Sequence, residues 1–193
     1  MNAPIDLTGV CLETDRLVLR TWQPGDLEDL YEYAQVDGVG QMAGWKPHTS
    51  IEESRAILSR FIESRDTFAL ELKQTGRVVG SLGIEPLSIP LPPAYDDMAG
   101  RELGYVLGKA QWGRGLMTEA VGRAIAFCFE EAGCRLLLCG HFVENPRSRR
   151  VIEKSGFRYL QTGSVTLSDG VPHEELFYLL EREDWLRLPP AHP

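Results

Sequence analysis

Apolar and polar positions alternate along RLVLRTW, residues 16–22, with Leu17, Leu19 and Thr21 on one side, the pattern of a half-buried strand. The period then lengthens. In PGDLEDLYEYAQV, opened by Pro24, the residues Leu27, Leu30, Tyr31 and Ala34 mark one helical face. The polar stretch DGVGQMAGWKPHTS is rich in turn formers. After it, TSIEESRAILSRFIESR predicts a second helix, with Ser50 as cap and Glu53 three residues on, as in a capping box. TFALELKQTGRVVGSLGIE returns to period two and predicts a hairpin, Phe68, Leu70 and Leu72 alternating before a turn at Thr75 and Gly76.

PLSIPLPPAYDDMAG is proline-rich and predicts no regular structure. A connection this long between two strands is often functional. Next, ELGYVLGKAQWGRGLMTEAVGRAIAFCF reads as a strand, a turn with Gly113 and Gly115, and an amphipathic helix. Its stripe is Leu116, Ala120, Val121, Ala124, Ile125, Phe127 and Cys128. RLLLCGHFV is apolar enough for a buried strand. NPRSRRVIEKSGF predicts a helix capped by Asn145, with Pro146 at its first position and Gly156 as its stop. FRYLQTGSVTL, a turn at SDG, and ELFYLLE form a closing hairpin, and PPAHP is expected to fray. The order β-α-α-β-β-β-α-β-α-β-β is mixed α/β, and its runs of hairpins exclude a purely parallel doubly wound sheet. One domain over residues 1–188 and a tail at 189–193 are expected.

At 193 residues with 43% hydrophobic and 25% charged content, the chain has the make-up of a soluble globular protein. A net charge of −8 argues against nucleic acid as the main partner. No run approaches the ~18 apolar residues of a membrane span. MNAPIDLTGV lacks a basic segment followed by an apolar core, so no signal peptide is expected. Cys11, Cys128, Cys134 and Cys139 form no C-x-x-C pair and read as reduced thiols of a cytoplasmic protein. His48, His141, His173 and His192 have no metal-ligand spacing, and no metal is expected.

Three anion-binding readings compete for GKAQWGRGLMTEA. A P-loop is excluded, because Arg114 and Gly115 stand where its Lys and Ser/Thr belong. A dinucleotide fingerprint starts at Gly113 and Gly115, but Thr118 replaces the third glycine and no acidic residue ends the next strand. The third is a pyrophosphate held by consecutive backbone N–H groups of Gln111, Trp112, Gly113, Arg114, Gly115 and Leu116 at a helix start. An ordinary strand-to-helix turn is the alternative.

The surroundings decide it. ELGYVLGKAQWGRGLMTEA followed by ENPRSRRVIEKSGF resembles the acyl-CoA-binding core of the GCN5-related N-acetyltransferases (GNAT), and within them the RimJ/RimL-type ribosomal-protein subgroup. LETDRLVLRTWQPGDLEDLY, GWKPHTSIEES and ELFYLLEREDW extend the resemblance over nearly the whole chain. It implies a GNAT-like fold: a mixed, mostly antiparallel sheet of about seven strands, helices on both faces, splayed at the cofactor-binding strand. It also implies acetyl-CoA, with Tyr105, Val106 and Leu107 pairing the pantetheine arm and the glycine turn holding the pyrophosphate. The family's first turn position, Gln or Arg, is Ala110 here, with Gln111 one place later. Arg114 and Arg149 are the expected phosphate contacts, and Asn145 is expected at the pantetheine.

Acetyl transfer needs a neutral amine, a stabilised oxyanion and a proton for the leaving thiolate. Glu102, which corresponds to the acidic residue before GY in this subgroup, is the first candidate base, and Glu85 the reserve. Relatives place a tyrosine acid where Ile152 stands, so Ser148 is the candidate partner of the sulfur. Tyr159 reads as strand packing. The acceptor is expected to be a primary amine, a protein N-terminal α-amine or a polyamine-like or aminoglycoside-like molecule. The PLPPAYDDMAG loop, with Asp96 and Asp97, would suit a cation. The missing tyrosine keeps open a non-catalytic acyl-CoA sensor. The protein is expected to be a monomer or homodimer.

Overall fold

The computed structural model describes residues 1–167 and 170–189. Among the described residues there are eight strands: β1 Cys11–Glu13, β2 Leu17–Thr21, β3 Thr67–Leu72, β4 Arg77–Glu85, β5 Gly100–Leu107, β6 Leu136–Phe142, β7 Arg158–Thr166 and β8 Pro172–Glu181. The α-helices are α1 Leu27–Ala34, α2 Ile51–Ser64, α3 Leu116–Glu130, α4 Pro146–Lys154 and α5 Arg182–Trp185. The chain divides into two compact units, one of Asp6–Gly83 with Tyr105–Ala120, the other of Met1–Ile5, Ile84–Gly104 and Val121–Pro193. Strands β4 and β5 and helix α3 each have residues in both units.

In the first unit the strand order is β1-β2-β3-β4, every pair antiparallel. Leu17, Leu19, Phe68, Leu70 and Leu72 are buried, as their alternation predicts. Trp22, Leu30, Tyr33, Ala34, Leu58 and Val78 form a core with Val106 and Trp112 packed on it. On α1 the inward tyrosine is Tyr33 rather than Tyr31, because Pro24–Asp26 is a 3-10 turn that rotates the helical face. Ser50 caps α2, Glu53 N–H donating to its Oγ at 3.3 Å, while the Glu53 carboxylate reaches back one residue further, to Thr49 N–H at 2.6 Å. β1 was not expected: three residues are too short to show a period.

In the second unit the order is β5-β6-β8-β7. β5 and β6 are parallel, and the other pairs are antiparallel. The parallel register ends at Leu103↔Cys139, so residues 104–107 lie beyond it, where the resemblance puts the splay. All seven predicted stripe residues of α3 are buried. The proline-rich connection is less solvated than its composition suggests. Leu87, Ile89, Leu91, Tyr95 and Met98 pack over Leu136, Leu138, Phe177 and Leu179. Asn145 caps α4 and Gly156 ends it at φ 86°. The SDG turn and the last residues of the tail fall largely outside the described residues.

Candidate functional site

In the first unit, β5 ends against β4. Gly108 N–H donates to Val79 O at 2.8 Å, and a side chain at Gly80 would run into the Val106 carbonyl and come within 3.1 Å of Leu107 Cα. The chain then makes a tight turn in which Gln111 N–H bonds Gly108 O at 2.9 Å and Trp112 N–H bonds Lys109 O at 3.2 Å. Trp112 Nε1 donates to Leu107 O at 2.7 Å, tying the turn to the strand. Gly113 and Gly115 follow at φ 75° and 77°, values that glycine adopts without strain. Among the described residues, the N–H groups of Gly113, Arg114, Gly115 and Leu116 have no acceptor in the protein.

These donors stand at the positive end of the α3 dipole, a ready seat for an anion. The expectation of N–H groups from Gln111 onward is therefore corrected: those of Gln111 and Trp112 are spent inside the turn, and the free run starts at Gly113. A scaffold holds it. Arg16 Nη1 donates to Arg114 O at 2.8 Å, while Arg16 Nε and its own N–H bond the Glu119 carboxylate at 2.7 and 2.9 Å. The Arg114 guanidinium bonds the Gln111 side chain and is otherwise exposed. Tyr105, Val106 and Leu107 form the end of β5 beside this turn.

In the second unit, register fixes which side chains share a face. Glu102 pairs with Leu138 and Phe142 with Glu175, so Glu102, Gly104, Leu138, Gly140, Phe177 and Glu175 all lie on the face that the proline-rich connection covers. The Glu102 carboxylate accepts Ser88 N–H from that connection at 2.8 Å. The Glu85 carboxylate lies over Gly104, 3.4 Å from where a Cβ would stand. The Glu175 carboxylate lies over Gly140, filling the space of its missing side chain. Burial raises the Glu102 carboxyl above its ordinary value, opposed by the Ser88 hydrogen bond. Burial, with the Glu102 charge adding to it, pushes Glu175 up to about 7.

The direction of the Glu175 shift has a consequence for stability. Between the ordinary 4.5 and about 7 the folded chain holds a proton that the unfolded chain has lost. By linkage, this group's contribution falls as pH rises through that window and is fully lost above it. The thermal midpoint of Glu175→Gln, measured against wild type from pH 5 to pH 8, is therefore expected to gain on wild type as pH rises. A difference independent of pH would contradict it.

Helix α4 carries the remaining expected residues. Asn145 Oδ1 accepts Ser148 N–H at 3.1 Å, so Asn145 is a helix cap, and both residues stand half-buried at the start of α4. Arg149, 60% exposed, pairs with Glu153 at 2.8 Å, so its charge is partly committed. Ile152 is buried in the core. Tyr159 is a correction: it is 54% exposed, its hydroxyl bonded to Thr162 Oγ1 at 2.8 Å and its ring edge-on to Tyr178. Sequence reasoning missed two groups here. Tyr178 Oη donates to His141 Nε2 at 3.2 Å, with His141 Nδ1 placed to donate to Phe142 O at 2.8 Å. Glu175 was read only as part of a closing strand, although it sits in the inward series with Phe177 and Leu179.

His48 Nδ1 lies 2.7 Å from Ser54 Oγ, and burial lowers its pKa. All four cysteines are free thiols. Among the described residues no cluster of His, Cys, Asp and Glu could hold a metal ion, and no helix is long and apolar enough to cross a membrane.

Residues 16–158 match the model of the acetyltransferase (GNAT) domain. The uncharacterized N-acetyltransferase YoaA of Bacillus subtilis is 26% identical over 152 residues, 76% of this chain and 82% of the relative. Two solved structures share the fold. Spermidine N-acetyltransferase from Vibrio cholerae, in complex with CoA and spermine, superposes with a TM-score of 0.72 at 18% identity, over 90% of this chain and 100% of that one. Ribosomal-protein-S5-alanine acetyltransferase from Vibrio fischeri does so with 0.69 at 19% identity, over 91% and 98%.

Proposed function

The chain belongs to the GNAT acetyltransferase family, acyl-CoA-dependent enzymes that act on amines, and from that premise we propose a peptide N-terminal α-amine as its acceptor. The turn fits acetyl-CoA: free N–H groups at Gly113, Arg114, Gly115 and Leu116 suit its pyrophosphate, with the Arg114 guanidinium beside them. Tyr105, Val106 and Leu107 offer the strand end for pantetheine. Gln111 and Trp112 shape the turn rather than donate N–H groups. We propose Asn145, Ser148 and Arg149 as further cofactor contacts, Arg149 once it releases Glu153. When bound, acetyl-CoA supplies an activated acyl carbonyl: a carbon–nitrogen bond forms, the carbon–sulfur bond breaks, and the thiol leaves.

The observation that carries the α-amine reading is the carboxylate face of the second unit, with Glu102 held by Ser88 and both Glu102 and Glu175 raised. Carboxylates attract an ammonium group, and a raised carboxyl is a competent proton acceptor near neutral pH. Such a base suits a weakly basic amine. An α-amine is about one-tenth neutral at pH 7, whereas a lysine is neutral only about once in 2,500. Glu102 contacts the acceptor nitrogen, with Glu85 beside it. A polyamine is the second reading, favoured by the added exposed acids Asp96 and Asp97 on the same connection. We place the protein in the cytoplasm on the strength of its four free thiols, and take it to act as a monomer or homodimer.

Thiol release from acetyl-CoA, followed with an alanyl hexapeptide, an N-blocked lysyl peptide and spermidine, tests the proposal. The alanyl peptide is expected to give the highest kcat/KM, by at least ~10-fold over the lysyl peptide. Spermidine ahead of both would replace the first reading with the second. Glu102→Gln, with acetyl-CoA binding verified, is expected to lose turnover, and undiminished turnover across the pH range would remove Glu102 from the site.

A further inference from the structure

Glu175 is a carboxylate in an apolar series. Its strand neighbours on the same face, Phe177 and Leu179, are core residues, yet among the described residues Glu175 has no hydrogen-bond or ion-pair partner that would account for its place there. Two glycines make room for carboxylates on this face. Gly140 on β6 lets the Glu175 carboxylate lie across the strand, its Cδ 3.1 Å from the position of the missing Cβ. Gly104 on β5 lets Glu85 do the same at 3.4 Å. Glu102 belongs to the same face and has one oxygen engaged by Ser88 N–H, which fixes it to the connection above.

Resting on the acetyltransferase reading, we infer that Glu175 is a second catalytic carboxylate of the acceptor site, taking the proton from the acceptor amine with Glu102 as its tuning neighbour. In the step, an N–H bond of the ammonium breaks, its electron pair stays on nitrogen, and the proton passes to a Glu175 carboxylate oxygen. The proton leaves to solvent before the next turnover. The division of labour follows from the contacts: Glu102 is anchored through Ser88, whereas Glu175 is the carboxylate without a competing donor.

The charged surroundings of Glu175 are few. From β5 it faces Glu102, whose charge acts on it directly, with Glu85 next along that face. From β6 it faces Gly140 and Phe142, and from β7 Gly163, none of which titrates. His173 stands two residues away on the same face, its ring 5.4 Å from that of Phe142. The Glu102 charge raises the Glu175 carboxyl, so removing Glu102 must lower it.

The experiment compares wild type with Glu175→Gln, Glu102→Gln and Gly140→Ala, using acetyl-CoA and the alanyl hexapeptide across pH 5.5–9, with spermidine in parallel. Glu175→Gln is expected to lower kcat/KM by ~10²–10⁴-fold, with acetyl-CoA affinity unchanged, and to abolish the rise of kcat/KM around neutral pH. Glu102→Gln is expected to shift what remains of that rise to lower pH, because the repelling charge has gone. Gly140→Ala keeps both carboxylates but pushes Glu175 aside, and is expected to fall in the same direction by less.

A second readout needs no turnover. Carbon-13 carboxyl resonances of the free protein are expected to show one group titrating near neutrality, absent in Glu175→Gln and moved to lower pH in Glu102→Gln. Wild-type kcat/KM and pH dependence in Glu175→Gln would overturn the inference while leaving the acetyltransferase reading standing. A wild type that binds no acetyl-CoA would overturn that reading and this one with it.

Discussion

Asp26→Ala is expected to lower the thermal midpoint by about 4–16 °C, a loss of about 2–4 kcal/mol at ~2–4 °C per kcal/mol for a chain of this size. Asp26 is 7% exposed, and its two carboxylate oxygens take Nη1 and Nη2 of Arg20 at 2.8 and 2.9 Å, a bidentate pair. One of those oxygens also accepts Gln23 N–H at 2.8 Å, which closes the turn that starts α1. Alanine would leave the guanidinium without its main partner and a backbone donor unsatisfied. The loss stays below that of a fully stranded buried charge, because Glu71 still holds Arg20 Nε at 2.7 Å.

The two carboxylates together hold the guanidinium charged well beyond its ordinary range. Calorimetry on Asp26→Ala, Arg20→Met and the double variant separates the cost of a stranded charge from the value of the pair. The double variant is expected to lose less than the sum of the singles. A midpoint for Asp26→Ala within 1 °C of wild type would contradict the account. The network anchors β2, β3 and α1 without touching the proposed chemistry, so kcat/KM below the melting range is expected to hold.

How much of this was legible in the chain depends on the range over which each signal acts. Local signals read well. The capping residues Ser50 and Asn145, the stop at Gly156 and the stripe of α3 depend on neighbours a few positions away, and they stand as the sequence implies. The exchange of Tyr31 for Tyr33 came from a 3-10 turn whose tightness no periodicity discloses. β1 has only Leu12 buried between two exposed residues, which is no pattern at all.

The site was legible where it follows the chain and hidden where it crosses it. The strand, glycine turn and helix lie consecutively, so their chemistry could be read in order. Glu175 stands 73 positions after Glu102 and reaches the same face only through the β5-β6-β8 register. Its trace in the sequence was its parity: in HEELFYLLE it shares alternation with Phe177 and Leu179, a charge in an inward series. The proline-rich connection hid its role differently. Its prolines predicted no regular structure, while Leu87, Ile89, Leu91 and Met98 supplied the spaced apolar contacts that seat it on the sheet.

Replacing Gly115 by valine is expected to weaken binding of coenzyme A by about 10–100-fold while the protein stays folded. The reason is conformational. A Cβ at Gly113 would meet nothing within 4 Å, and one at Gly115 would stand 3.6 Å from Arg16 Nη2, so there is room at both positions. What valine lacks is easy access to φ near 75°, and a β-branched residue there is a genuine outlier. The chain relieves that strain by rotating the peptide, which turns N–H groups of the Gly113–Leu116 run out of their present orientation. A hydrogen bond to a charged acceptor contributes about 1.5–3 kcal/mol, so losing one accounts for the expected range. Gly76→Val is the control: its φ is 67°, its surroundings are equally open, and it lies in the β3–β4 turn. That variant is expected to lose stability without losing affinity. Dephospho-coenzyme A, which keeps the pyrophosphate and lacks the 3′-phosphate, is expected to show the same ratio between wild type and Gly115→Val by calorimetric titration. A ratio that vanished with the 3′-phosphate would move the anion away from this turn, and wild-type affinity in Gly115→Val would remove the turn from cofactor binding altogether.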